Sequence, residues 1–440
     1  MPKTGSELRA RPLYLNRLIA FQDTEPVKII TGIRRCGKSS LLKLMANHLR
    51  ETGIADIQII EMNFESMAFR KMTVEELYQY VKQRLPENKR AYLFFDEIQH
   101  INEWQDAINS FRVDFDCDIY VTGSNAYLLS SEYATYLAGR SVEIKMLPLS
   151  FREFLDFHSY AVTESRRPAG GLRKQICDAS GESYEPQELL EAYIKFGGMP
   201  GIADVGLDTD KALTLLDGIY STVVVRDILE REKRRGQRQL TDPELLRRII
   251  MFLADNIGNT TSITSIGNTL VNEKLLDGSN RRGKPAVQTI QAYVAALLES
   301  YVFYEIKRFD IKGKGFLRTM GKYYIIDTGL RNYLLGFRDM DIGHIIENLV
   351  YFELLRRGYD VAIGKVDNKE VDFIATNASE KRYIQVTESM NDPATREREL
   401  VPLRAIRDNY EKIVITSHCD NPITQDGIKI IKLTDFLLDD

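Results

Sequence analysis

A chain of 440 residues with 44% apolar and 28% charged side chains has the composition of a globular protein of roughly two to four domains, which excludes a disordered or fibrous chain. A net charge of −4 excludes a polybasic nucleic-acid binder as a whole-chain property, and no apolar run approaches the about 18 residues of a membrane span. Cys36, Cys117, Cys177 and Cys419 stand without C-x-x-C pairing, which speaks against zinc and against a disulfide framework. With no apolar signal core after Met1, the expectation is a cytoplasmic protein with no membrane partner.

Val27-Lys28-Ile29-Ile30 predicts a short buried strand, and Ser39 to Met45 predicts a helix with an apolar face. Between them lies a full G-x-x-x-x-G-K-[ST] phosphate-binding loop, comprising Gly32, Ile33, Arg34, Arg35, Cys36, Gly37, Lys38 and Ser39, followed by Ser40. A strand that turns through glycines into a helix N-terminus aims backbone N–H groups at one spot, where the helix dipole also favours an anion. The expected ligand is ATP, with Lys38 on the β- and γ-phosphates and the Ser39 hydroxyl on Mg²⁺.

The apolar run Ala91-Tyr92-Leu93-Phe94-Phe95 ends in Asp96-Glu97. Ligands of open parallel sheets bind at the carboxyl ends of strands, so both acids are expected to face the loop. Asp96 would help hold Mg²⁺, and Glu97 would polarise the water that attacks the γ-phosphate. A third strand, Asp118 to Thr122, runs into Gly123-Ser124-Asn125. Ser124 and Asn125 are candidates to hold the attacking water or sense the γ-phosphate; the same residues also suit a plain turn. A helical run from Tyr127 to Leu137, then Gly139-Arg140 and a strand from Val142 to Leu147, complete the segment.

These motifs, together with Asn63-Phe64-Glu65 and Leu147-Pro148-Leu149-Ser150-Phe151-Arg152-Glu153-Phe154, resemble those of AAA+ ATPases of the archaeal-type or MNS-clade group. The resemblance implies a P-loop AAA+ fold, a doubly wound parallel α/β sheet over residues 1–150 with a helical lid over 151–235. It also implies that Arg140 acts in trans on a neighbouring subunit's nucleotide, which requires a ring or a dimer. A structural arginine at a helix C-terminus is the other reading of Arg140. Within the expected lid, Phe151–Phe157 and Pro186–Lys195 predict helices, no strand is evident, and the polar stretch 165–183 predicts a loop.

Residues 236–340 follow a charged linker at 230–238 and predict three helices, Pro243–Asn256, one beginning near Ser262, and Pro285–Leu298. Two strands, Tyr301–Phe309 and Tyr323–Ile326, complete the order of a winged helix-turn-helix. Positions 281, 282, 284, 307, 308, 312, 314, 318, 322 and 331 supply ten Lys or Arg against four acids. That excess is the footprint of duplex DNA binding, with Arg281, Arg282 and Lys284 near the recognition helix and Lys312 and Lys314 on the wing. Winged helices also serve as protein-binding modules, so a protein partner remains open.

Residues 341–440 resemble the restriction-endonuclease-like, PD-(D/E)xK α/β fold, through Glu347, Asp372 and the strand Tyr383-Ile384-Gln385-Val386-Thr387. In active members two acids and a lysine bind Mg²⁺ and orient water. Here Gln385 stands at the second acid and Thr387 at the lysine, so the resemblance implies a degenerate site without nuclease activity. Two functions are expected as alternatives: an oligomeric ATPase acting on DNA, or a nucleotide-controlled switch or scaffold acting on a protein.

Overall fold

The structure, a computed structural model, describes residues 8–124, 139–166, 172–222, 228–229, 242–272, 287–313, 315–316, 320–338, 341–419 and 423–439. β1 (Val27–Thr31), β2 (Ile59–Asn63), β3 (Ala91–Asp96), β4 (Cys117–Gly123) and β5 (Ser141–Lys145) form a parallel sheet in the order β2-β3-β4-β1-β5. β1 and β3 are buried at every position, as strands of a parallel sheet are when both faces are covered. The helix Lys38–Glu51 buries Leu41, Leu42, Met45, Ala46 and Leu49, an apolar stripe repeating at helical spacing. This part of the chain, through Pro148 and with Glu299–Tyr301, forms one compact unit; Leu149–Leu298 and Val302–Asp440 form the other.

In the second unit, the helix Phe151–Phe157 opens on a capping box. The Ser150 hydroxyl accepts from the Glu153 N–H, and the Glu153 carboxylate accepts from the Ser150 N–H. In the stretch 165–183, of which 167–171 lie outside the described residues, the described part is not the expected loop. β6 (Ala161–Arg166), β7 (Leu172–Cys177) and β8 (Ser183–Tyr184) make an antiparallel sheet. Its turn is closed by Asp178, whose carboxylate accepts from the N–H groups of Ser180 and Glu182. Ile176 is fully buried while the neighbouring positions are polar, so the segment carries little apolar alternation to reveal a strand. Helices Pro186–Phe196, Gly201–Val205 and Thr209–Ile219 follow.

Helices Pro243–Asp255, Ile263–Asn272 and Val287–Glu299 lie where the apolar spacing predicts them. β9 (Thr260–Thr261), β10 (Phe303–Ile306), β11 (Arg308–Asp310), β12 (Gly315–Phe316) and β13 (Gly321–Ile325) accompany them. The expected two-strand hairpin is divided between sheets. β10 and β9 flank β13 in an antiparallel sheet, whereas β11 leaves it, pairs with β12 and runs parallel to β14 (Asp360–Val366). The turn after Asp310 therefore borders the large C-terminal sheet and is not a free wing. β15 (Lys369–Thr376), β16 (Lys381–Ser389), β17 (Glu411–His418), β18 (Ile423–Gln425) and β19 (Ile428–Lys432) complete that sheet, in the order β12-β11-β14-β15-β16-β17-β19-β18. Helices Ile342–Arg356, Pro393–Arg404 and Leu433–Leu438 belong to the same part of the chain. Among the described residues no helix is long and apolar enough to cross a membrane.

Candidate nucleotide site

The register of the parallel sheet assembles the site. Thr31 on β1 lies beside Gly123 on β4, and Asn63 on β2 lies beside Asp96 on β3, so the carboxyl ends of four strands open on one edge. From there β1 passes through the loop 32–37 into the helix beginning at Lys38. Gly32 has φ +144°, and a Cβ there would lie 2.1 Å from the Met146 carbonyl oxygen. Gly37, at φ +107°, is the residue immediately before the helix. Both positions need glycine for conformation, and Gly32 needs it for space as well.

The loop is braced from behind. The buried Arg11 guanidinium donates to the carbonyls of Cys36 at 3.0 Å, Leu147 at 3.0 Å and Pro148 at 3.3 Å. Cys36 is buried, and burial pushes its thiol pKa up, which makes it a packing residue and not a nucleophile. Arg34 pairs with Glu65. The Lys38 ammonium donates to the loop's own carbonyls, Gly32 at 3.0 Å and Ile33 at 3.2 Å, and stands 3.9 Å from the Glu97 carboxylate.

Asp96 is the hub. Its Oδ1 accepts from the Ser39 hydroxyl at 3.0 Å and the Thr122 hydroxyl at 2.6 Å, and its Oδ2 accepts from the Asn63 amide at 2.8 Å. Burial raises its pKa, against the lowering effect of the Thr122 and Ser39 hydrogen bonds. A desolvated carboxylate beside a hydroxyl has the donor set of a hard divalent cation, so Ser39 and Asp96 fit Mg²⁺. Glu97 is held at φ +55°, a left-handed conformation costly for a side chain of this type. Its N–H donates to the Thr122 hydroxyl oxygen at 2.9 Å, and its carboxylate accepts from the Gln99 amide. The Gln99 amide lies 3.5 Å from the Ser124 hydroxyl, so Ser124 meets Glu97 through Gln99 and not directly.

Asn125 lies outside the described residues. Arg140 is exposed, and its carbonyl accepts from the Val27 N–H, which puts it beside the start of β1, at the opposite end of the sheet from the loop. Thr122 stood in the motif Thr122-Gly123-Ser124 with no role assigned to it, and Gln99 and Arg11 were not singled out. Thr122 stood within the strand that ends at Gly123, where strand alternation alone gives it the same face as Ser124. Gln99 and Arg11 left no local signal.

Of the basic residues counted toward a DNA footprint, Arg281, Arg282, Lys284, Lys314 and Arg318 lie outside the described residues. Lys312 is bound to Asp367, with oxygens at 2.6 and 2.7 Å. Lys322 and Arg331 are not surface charges: both are buried, Arg331 against Asp341 at 2.6 Å. The count fails there because an ion pair with a distant acid cannot be read from local composition.

Glu347, Asp372, Gln385 and Thr387 do gather, around one cleft of about 920 Å³. The Val386 N–H donates to Asp372 at 2.8 Å. Burial and the nearby Glu347 charge hold the Asp372 carboxyl well above its ordinary range.

Comparison with known proteins finds two matching families. A family described as an AAA domain matches residues 24–155, and one described as a domain of unknown function (DUF8612) matches residues 187–341. An uncharacterized protein of Haemophilus influenzae is 38% identical over 431 residues, 98% of this chain and 98% of its own. Uncharacterized protein MJ1544 of Methanocaldococcus jannaschii is 30% identical over 438 residues, 98% of this chain and 87% of its own. Among solved structures, the Aeropyrum pernix ORC1 protein in complex with DNA is 12% identical and overlaps 76% of this chain and 94% of that one, with a TM-score of 0.31, too low to carry an argument. On identity that extends over nearly the whole of both chains, this protein belongs to one family with the Haemophilus influenzae and Methanocaldococcus jannaschii proteins, and its residues 24–155 are an AAA domain.

Proposed function

We propose that this protein is a Mg²⁺-dependent ATPase that works as an oligomer and couples its nucleotide cycle to duplex DNA. The observation that carries the reading is the convergence of Lys38, Ser39, Asp96 and Glu97 at the carboxyl ends of β1 and β3. On nucleotide binding, Lys38 exchanges the Gly32 and Ile33 carbonyls for phosphate oxygens, and the amides of residues 33–40 surround the phosphates. Ser39 and Asp96 would hold Mg²⁺, which would neutralise charge on the transferring phosphoryl group. Glu97 takes the proton of the attacking water as its oxygen bonds to the γ-phosphorus and the bond to ADP breaks. Gln99 and Thr122 hold Glu97, and Ser124 steadies Gln99.

Arg140 supports the oligomeric part. β5 runs parallel to β1, with Ser141 beside Val27 and Lys145 beside Thr31. Arg140 is thus about 15 Å from its own phosphate loop along the strands, beyond the reach of its side chain, and suits the nucleotide of another copy. Three helices with the sheet β10-β13-β9 support a winged helix as the DNA-facing element, ahead of a degenerate nuclease-like domain from about residue 341. A second reading, a nucleotide-controlled switch on a protein partner, is favoured by the neutralisation of Lys312 by Asp367.

Steady-state ATPase of wild type and Glu97→Gln, with and without duplex DNA over a salt series, tests both. Glu97→Gln is expected to keep nucleotide binding and to lose about 10²–10⁴-fold in turnover. Stimulation of wild type by DNA that fades with salt supports the first reading; indifference to DNA with ATP-dependent assembly supports the second. Unchanged turnover in Glu97→Gln removes the assigned base.

A further inference from the structure

The helix Val287–Glu299 ends in an unusual way. The Val302 N–H donates to the Leu297 carbonyl at 3.2 Å, the long bond of a Schellman helix end. In that motif the residue before Val302 takes a left-handed conformation and is usually glycine. Here it is Tyr301, at φ +58°. A bulky side chain is costly in that conformation and persists there only where its surroundings hold it. Those surroundings belong to the parallel sheet. The chain lies in the second compact unit up to Leu298 and again from Val302, but Glu299, Ser300 and Tyr301 group with residues 1–148. Ser300 and Tyr301 are buried.

Tyr301 meets the root of the phosphate loop through one carboxylate. Its hydroxyl lies 3.4 Å from Oε1 of Glu143 on β5. Burial, and then the Glu143 charge, push the Tyr301 phenol pKa up, so the hydroxyl keeps its proton and is the donor. The same Oε1 accepts from the hydroxyl of Thr31, the last residue of β1. Thr31 adjoins Gly32, and its carbonyl accepts from the Met146 N–H at 2.7 Å. The Met146 carbonyl in turn is the group that leaves no room for a side chain at Gly32. The start of the loop is thus held against β5, and Glu143 joins it to Tyr301. Because the helix end is closed by the Val302–Leu297 bond, little slack separates Tyr301 from the helix.

We propose that Tyr301 is a positioning residue that couples the phosphate loop to the helix Val287–Glu299 by way of Glu143 and Thr31. The proposal rests on the nucleotide reading of the loop, in which Lys38 leaves the Gly32 carbonyl for phosphate. That exchange falls on the residue next to Thr31, and Glu143 passes the change to Tyr301 and so to the helix end. A side chain in place of glycine at this helix end then has a purpose that offsets its backbone cost. By linkage, whatever fixes the helix alters nucleotide affinity by the same factor.

The test is hydrogen–deuterium exchange of the full chain, with and without Mg²⁺ and a saturating non-hydrolysable ATP analogue. Wild type is expected to show slowed exchange at 32–40 and a several-fold change at 287–299. Tyr301→Phe keeps the buried ring and removes only the hydroxyl. Glu143→Ala removes an exposed side chain from an edge strand, so its fold is not at stake. Both variants are expected to keep the response at 32–40, to match wild type at 287–299 without nucleotide, and to lose the nucleotide response there. A purely structural role would instead alter the nucleotide-free exchange. A wild-type helix that does not respond while 32–40 does overturns the coupling and leaves the nucleotide reading standing. A response retained in both variants overturns it as well. No response at 32–40 in wild type removes the nucleotide reading and the coupling with it.

Discussion

Thr122 shows how one hydroxyl can serve two partners. It donates to Asp96 at 2.6 Å while its oxygen accepts from the Glu97 N–H at 2.9 Å, so it fixes the spacing between the two acids. Thr122→Val conserves shape but leaves the buried Glu97 N–H without its acceptor and removes one of the three donors to Asp96. The expected loss is about 1–3 kcal/mol of stability by urea unfolding, together with slower turnover. A neutral result in both would mean that backbone packing alone holds Glu97. The acids themselves were legible, because a strand end beside a phosphate loop restricts what two adjacent carboxylates can do. Gln99 and Arg11 were not, because their roles come from partners that only the folded chain brings near.

Elements whose burial follows local spacing, β1, β3, β4 and β5 of the parallel sheet included, were read correctly, whereas β6 to β8 and the pairing of β11 were not. The helix Lys38–Glu51 and the three helices between 243 and 299 announce themselves by apolar stripes. β6 to β8, and the departure of β11 from the expected hairpin, depend on which strand supplies hydrogen bonds. The helix Thr328–Leu335 carries a pH signature of its own. Its N-cap, Asp327, accepts from the N–H groups of Leu330 at 2.8 Å and Gly198 at 2.6 Å, yet full burial raises its carboxyl pKa to about 6. The folded pKa lies above the unfolded value, so this contribution is fully present below about pH 4 and is lost as pH rises through about 6, by about 3 kcal/mol in all. Asp327→Asn retains an oxygen for the cap but does not titrate. Across that interval, denaturant unfolding should show wild type losing about 3 kcal/mol relative to Asp327→Asn. Curves that stay parallel would mean that Asp327 keeps one charge state throughout.

At the scale of the whole molecule, the proposal that Arg140 acts in trans makes an oligomer a chemical requirement and not only a packing preference. Arg140→Ala is expected to be inactive alone and to recover activity when mixed with Lys38→Ala, because each variant supplies the group the other lacks. Recovery, with a mass of two or more subunits, supports action in trans; a fully active Arg140→Ala assigns the arginine a structural place. The basic charge left for the proposed DNA contact is smaller than composition implied, since Lys322 is spent on Glu347, Arg331 on Asp341 and Lys312 on Asp367. Salt dependence of DNA binding is correspondingly expected to be shallow.

By itself the sequence determined the phosphate loop, the two acids that answer it and the parallel sheet that carries them. Those features rest on spacing within a few residues, where glycine conformation, strand alternation and helix periodicity act locally. The tertiary structure alone decided that Thr122 and Asn63 share Asp96, that Asp310 turns beside the large sheet, and that Lys322 lies among Glu347, Glu370 and Asp372. A buried charge is stable only beside its counter-charge, and nothing in the local sequence names a partner 25 or 50 residues away.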